Sequence, residues 1–537
     1  MRQIPVRFLL MVLTVSSIFT GSILAAKDSD DRSKKAESKA REHLSKRGLD
    51  MEQLKARDII VDETGSHVRF SQYVDGVRVY GSEVITHEKI NGKFTAPTGK
   101  VSDVTSSDLA PPTFDGHVAV GVAKNIFGYD GRGEIELVLY PVENQLVLAY
   151  MVDIKNTDEE TNDPRREMIV INARTGQIID RWNNLQTSAA SGTGYGFYAG
   201  QVTGLPIDYT GGTYYLFDVP NNGKTTDYNN RTCPITGCTK TGTVYSSTDS
   251  VFGTTGSLSD RQSIGVDAHF FAERTLSYFS TTFGRNGIDN NNNKNLKFGF
   301  MVSRTHYGNN YNNAFWDGAS MTYGDGDGST YRPFDAVDVV GHEMMHGITE
   351  RTSDLVYQNE SGAANESFSD IFGTVVEYYT GTRTGYNSVS YPADYWIGED
   401  LYYSNDPSNP TRGIRNMADP HLEGDPCHYS ERYTGTSDNG GVHINSGIMN
   451  KMWYLLTNGG TNHKDTTGTL VSGIGMTDSA AIAYDADTKY CTANDNFAKV
   501  ADAWMNAARN RFGAGSAQAQ QTYNAWKASG VTPTQLP

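Results

Sequence analysis

Cysteine, positive charge and long apolar runs are all in short supply in this chain. Its four cysteines, Cys233, Cys238, Cys427 and Cys491, never form the paired CxxC units that hold a structural zinc ion. Lysine and arginine number 46 against 62 aspartates and glutamates, a formal charge of −16 that argues against nucleic acid or an anionic membrane as partner. Beyond Ala26 no stretch is long and apolar enough to span a bilayer, so no membrane anchor is expected. What is present fits a multidomain globular protein. Its 537 residues are several domains' worth, and 37% apolar with 11% aromatic content supplies large cores.

Arg2 and Arg7 precede an apolar run from Phe8 to Ala26 ending in Ile-Leu-Ala-Ala, the pattern of a signal peptide cut near Ala25 or Ala26. In an exported chain an even number of cysteines predicts two disulfides. Three pairings are possible, and Cys233 with Cys238, around a Pro-Ile-Thr-Gly turn, and Cys427 with Cys491 are favoured. Lys27 to Arg47 is charged and helical in pattern, while Val68 to Thr86 alternates around Asp75-Gly76 and predicts a hairpin. Short alternating runs predict β structure before residue 260; Asp267 to Phe283 and Asn496 to Ala528 have helical periodicity.

The chemistry concentrates in Asp338-Val-Val-Gly-His342-Glu343-Met-Met-His346. At about 100° per residue His342 and His346 sit roughly 40° apart on one helical face, so both imidazoles can reach one ion. Glu343 would reach the water on that ion. Downstream, Glu366, Asp370 and Glu377 fall on one face of a second helix among Phe368, Ile371, Phe372, Val375 and Val376. Carboxylates set among large apolar residues are costly unless they bind a cation or a partner, so Glu366 is a candidate third ligand.

His342-Glu343-x-x-His346 followed by Asn365-Glu366-x-x-Ser369-Asp370 resembles the thermolysin-like neutral metalloproteases. The resemblance extends upstream to Asn312-Asn313-Ala314-Phe315-Trp316 and downstream to Arg415 and Asp438-Asn-Gly-Gly-Val-His443. It implies one catalytic zinc on His342, His346 and Glu366, with the fourth position open to water. Glu343 would be the general base and Asp370 the carboxylate that fixes a zinc histidine's tautomer. Tyr357 and His443 would donate to the developing oxyanion, with Asp438 orienting His443. Asn313, the Ala314 backbone and Arg415 are similar to groups that hold an extended substrate main chain. A pocket of Tyr331, Phe334, Val339, Ile397, Leu401 and Ile414, closed by Arg415, would take a bulky hydrophobic side chain after the scissile bond.

The same resemblance implies calcium at Asp338, Glu377, Asp394 and Glu399, four carboxylates suited to one or two such ions. Trp396 departs from the family, whose best-known members have an acid there. Gly324 to Gly328 and Asp289 to Asn295 are predicted to be solvated turns. Residues 1–25 are then a signal peptide and 26–110 an inhibitory pro-domain of fungalysin/thermolysin type. Residues 111–187 would be a second, PepSY-like pro-domain, 188–335 a β-rich catalytic lobe, and 336–537 the zinc helix with a mainly helical lobe. The stretch Ser188 to Gly194 reads as the processing linker.

These expectations describe an α+β, two-lobed zincin: a secreted monomeric zinc endopeptidase made as an autoprocessed zymogen, acting on proteins and peptides, with its pro-region as chaperone and inhibitor. A non-catalytic relative such as a surface adhesin would be expected to lack Glu343 or His443, and both are present. An esterase or amidase is disfavoured by Asn313 and Arg415.

Overall fold

The computed structural model describes residues 18–61, 65–103, 110–127, 131–143, 145–156, 166–183, 188–234, 238, 240–381, 383–384, 390–391, 393–406 and 410–537. Most of the expected leader lies outside them. The chain forms two compact units. One is built from the described residues up to Lys124 with Arg132–Lys155 and Arg166–Asn184, the other chiefly from Leu185–Pro537.

The first unit carries helices α1 (Ile18–Ser45) and α2 (Gly116–Phe127) and an eight-stranded sheet. Its strands are β1 (Leu54–Val61), β2 (Gly65–Val74), β3 (Val77–Lys89), β4 (Thr98–Lys100), β5 (Gly131–Val142), β6 (Gln145–Asn156), β7 (Arg166–Asn172) and β8 (Ile178–Asn183). They run in the order β1-β2-β3-β5-β6-β7-β8, with β4 paired to β3. The expected hairpin is β2–β3. Val74 pairs with Val77, and Asp75 and Gly76 both take positive φ (47° and 81°), the geometry that a two-residue turn needs. Parallel pairing of Arg78 with Val138 makes one continuous sheet across residue 110.

The second unit opens with a strand at Ser188–Gly196, antiparallel to Gly200–Thr210, where a linker was expected. The small residues serve packing rather than slack. A Cβ on Gly194 would stand 2.6 Å from Val266 Cγ1, and one on Gly196 2.1 Å from Asp267 Oδ1. Val266 and Asp267 belong to α3 (Arg261–Phe283), which starts at an Asp260 cap and includes the predicted 267–283 segment. Asp267 also accepts the N–H groups of Phe197, Tyr198 and Ala199, fixing this strand's end on the helix. A six-stranded sheet follows, edged by Ala314–Trp316, which among the described residues pairs only with Met321–Tyr323.

The helical lobe is α4 (Val337–Glu350), α5 (Asn359–Thr380), α6 (Asp438–Asn458), α7 (Met476–Asp485), α8 (Phe497–Phe512) and α9 (Ala517–Ala528). Gly513 ends α8, so the single long periodic segment is two helices. Helices α4 and α5 touch backbone to backbone. A Cβ on Gly373 would lie 2.5 Å from the Asp338 carbonyl oxygen, and one on Gly341 3.1 Å from Gly373 Cα. That approach brings the histidine face of α4 against the acidic face of α5. Asp289 and Asp327 close the two Asn- and Gly-rich turns by accepting nearby backbone N–H groups.

Candidate active site

Helix α4 is buried along most of its length, including His342 and Glu343. His342 Nε2 and His346 Nε2 face each other at 3.0 Å, and Glu366 from α5 lies 3.5 Å from the first and 3.3 Å from the second. One donor atom from each of the three residues falls within 4.8 Å of the others. Glu366 Oε2 is buried without a hydrogen-bond partner. Two imidazoles and a carboxylate oxygen, converging with that oxygen unsatisfied, fit a divalent cation such as zinc.

The surrounding groups set orientation and charge. His346 Nδ1 bonds to Asn365 Oδ1 at 2.7 Å and meets Ser369 Oγ at 3.1 Å. His342 Nδ1 is 2.9 Å from Asp370 Oδ1. Asp370 is held mainly by Arg415, bidentate at 2.7 and 2.6 Å, and by Asn450 Nδ2 at 2.8 Å. Burial raises the Asp370 carboxyl, but Arg415 and His342 draw it down to about 2. Burial disfavours the His346 imidazolium, yet Glu366 and Glu343 push that ring up to about 9. Glu343 is raised by burial and by Glu366, against the pull of the two histidines, which suits a proton acceptor more than a free carboxylate would.

Across the cleft, α6 begins with a left-handed turn, Asp438 to Gly441, all at positive φ. The turn lets Asp438 accept twice from His443, at Oδ1 from Nδ1 at 2.6 Å and at Oδ2 from the backbone N–H at 2.9 Å. His443 Nε2 then reaches Tyr357 Oη at 3.1 Å, and Tyr357 donates to Glu366. Burial and Glu366 push the Tyr357 phenol well up, so it remains a donor.

These groups surround a cleft of about 820 Å³ that Asn313, Ala314 and Arg415 also line. Tyr331, Phe334, Val339, Ile397 and Ile414 share its wall, and strand pairing ties Ile397 to Arg415. Leu401 departs from expectation. Its 3₁₀ turn, Glu399–Leu401, turns the side chain inward, where it is fully buried in the core behind Gly398. Two acids missed in the sequence, Glu423 and Asp425, face the cleft from a loop with no periodic signal, and burial raises Asp425 to about 7. Asn365 was also missed as a partner for His346, although it adjoins Glu366.

Asp338, Glu377, Asp394 and Glu399 converge behind α4. All are raised by burial, Glu377 and Glu399 well above the carboxylate range, with neighbouring acids adding to the shifts of Glu377, Asp394 and Glu399. Asp400, not anticipated, joins them and is raised in the same way. Glu399 Oε2 is buried and unpartnered, while Asp338 accepts the Gly398 N–H at 2.6 Å. Among the described residues these acids form a looser group than the histidine site. Trp396 pairs with Asn416 and donates its backbone N–H to Asp394.

The favoured cysteine pairing holds in one half only. Cys233 and Cys238 are joined; Cys427 and Cys491 are both free and buried. Cys427 faces Asn462 on the loop after α6, while Cys491 ends the helical turn after α7, bonded through its N–H to Ala486.

A helix-borne histidine pair, a carboxylate from the next helix and a buried glutamate beside a cleft between a β-rich and a helical lobe define a metal-dependent hydrolase. A model of the thermolysin metallopeptidase catalytic domain matches residues 191–350, and one of that group's alpha-helical domain matches 353–531. A fungalysin/thermolysin propeptide motif matches 52–101. The chain is 36% identical to a bacillolysin of Bacillus cereus, over 88% of this chain and 84% of that one. It is 38% identical to a bacillolysin of Brevibacillus brevis (87% and 82%) and 34% identical to a thermolysin of Bacillus sp. strain EA1 (88% and 84%). The chain belongs to the thermolysin family of metallopeptidases, and its propeptide motif fits synthesis as an endopeptidase zymogen.

Proposed function

We propose that this metallopeptidase uses zinc held by His342, His346 and Glu366 to cut peptide bonds on the N-terminal side of bulky hydrophobic residues. The observation that carries the reading is the convergence of those three donors with Glu343 on the cleft. Zinc, when bound, lowers the pKa of a water molecule and polarises a carbonyl oxygen. Glu343, raised by burial, takes a proton from the attacking water as oxygen adds to the carbonyl carbon. It returns that proton to the departing nitrogen as the C–N bond breaks. Tyr357 and His443 donate toward the charge that grows on the carbonyl oxygen, worth roughly 2.7–4 kcal/mol per donor. Asp438 holds His443 in position for this. The outer edge of the Ala314–Trp316 strand, which lines the cleft with Asn313, can pair with an extended substrate backbone. The aromatic and aliphatic wall from Tyr331 to Ile414 supports the hydrophobic preference.

Calcium at Asp338, Glu377, Asp394 and Glu399, with Asp400 beside them, belongs to the same proposal. Four buried acids and the half-buried Asp394 would repel one another without a cation. Export behind a signal peptide, autoprocessing of a two-part pro-region, catalytic lobes at 188–335 and 336–537 and a monomeric state complete the proposal, and the propeptide motif at 52–101 supports the zymogen. Among the described residues no helix is long and apolar enough to cross a membrane. In the deciding experiment Glu343→Ala keeps its zinc, loses nearly all casein hydrolysis and fails to process itself. Substantial activity in that variant would refute the role of Glu343.

A further inference from the structure

A second group of metal-type donors gathers on the helical lobe, away from the cleft. His421 lies in the short 3₁₀ turn Pro420–Leu422, Cys427 in the loop that follows, and His463 in the loop after α6. His421 Nδ1 stands 3.2 Å from His463 Nε2, and one donor atom from each of the three residues lies within 4.8 Å of the others. The Cys427 thiol is buried and free. On the far side of the His421 ring, Nε2 is 2.9 Å from Glu431 Oε2, the kind of outer carboxylate that fixes the tautomer of a ligating histidine. Lys464 holds the other Glu431 oxygen at 2.6 Å, and Asn462 donates to the Cys427 carbonyl at 2.7 Å, so the two loops are already joined.

We propose that His421 Nδ1, His463 Nε2 and Cys427 Sγ bind a second transition-metal ion of the zinc class, separate from the hydrolytic centre. Two imidazoles and a thiolate select zinc over the calcium suited to carboxylates. Binding releases the thiol proton to solvent and leaves a fourth position for water. The loop from Pro420 to Glu431 also carries Glu423 and Asp425 to the cleft, so the ion would brace that wall against the loop after α6.

The test uses the full chain with Glu343→Ala to prevent autolysis, stripped of metal, reloaded with zinc and desalted. Two transition-metal ions per chain are expected, and one in the same chain carrying Cys427→Ser or His463→Ala. Cobalt in place of zinc should give a thiolate-to-cobalt charge-transfer absorption that survives His346→Ala and disappears with Cys427→Ser. His463 is on the surface, so its variant carries the test if Cys427→Ser does not fold. Equal zinc in parent and His463→Ala, or no thiolate absorption in the parent, would overturn the proposal.

Discussion

Replacing Gly373 with alanine tests whether the contact between α4 and α5 builds the metal site. The new Cβ would stand 2.5 Å from the Asp338 carbonyl oxygen, 3.3 Å from its carbon and 3.5 Å from the His342 nitrogen. That is about 0.9 Å short of ordinary contact at 3.4 Å, and the obstruction is backbone rather than a flexible side chain. The helices must separate, at a cost of about 1–3 kcal/mol. Glu366 rides on the helix that moves and the two histidines on the other, whereas metal–ligand distances tolerate only about 0.2 Å. Zinc affinity should therefore fall on the order of 10–100-fold, the scale seen when support around a metal ligand is lost. Gly341→Ala, with 3.1 Å to Gly373 Cα, should do less. Gly121→Ala, where nothing lies within 4 Å in α2, should leave zinc unchanged and stabilise its helix by about 0.5–1 kcal/mol. Zinc competition against a chelator and thermal melts, all in the Glu343→Ala chain, would read both effects. Parental zinc affinity in Gly373→Ala would refute the argument.

His443→Ala should lower turnover on the order of a hundredfold with zinc content unchanged, while His346→Ala should lose the metal; equal zinc loss in both would make His443 a ligand. Removing calcium from zinc-loaded Glu343→Ala should lower its melting temperature, since calcium at a hundredfold excess over its Kd adds about 2.7 kcal/mol, and Asp394→Ala should mimic the loss. A calcium-independent melt would reduce the five acids to a structural cluster. Burial raises Asp487 to about 6 even though hydrogen bonds from Ser353 and Thr349 pull it down, so the folded chain keeps its proton after the unfolded chain has lost it near 3.9. Its contribution is present below about pH 4 and is lost as pH rises through 6, about 3 kcal/mol in all. Asp487→Asn should flatten that part of the stability profile, and an unchanged difference between parent and variant across pH 4–6 would refute it.

The hydrolytic chemistry was legible because it follows helical spacing. Two histidines four residues apart, with Glu366 and Asp370 one turn apart on the next helix, must present their donors on single faces whatever surrounds them. The Asp75-Gly76 hairpin was legible for a similarly local reason, since both turn positions need positive φ. The same local view erred where small residues stand for contact. Ser188 to Gly194 looks like a linker, but Gly192 is small because Ser250 and Ile207 lie against it, and Gly194 because Val266 does.

What the sequence determined by itself was therefore the set of groups and their local order: the histidine pair with Glu343, the Glu366 and Asp370 carboxylates, Tyr357, His443 and an acidic cluster. Only the tertiary structure decided which distant segments meet. It turned Leu401 into the core, brought Asp400 to the buried acids, added Arg415 to the Asp370 that meets His342, and left Cys427 beside two histidines instead of Cys491. The physical reason is that donor chemistry and helical phase are properties of a few adjacent residues. A contact between loops depends on the packing of every element between them, and no local pattern encodes that.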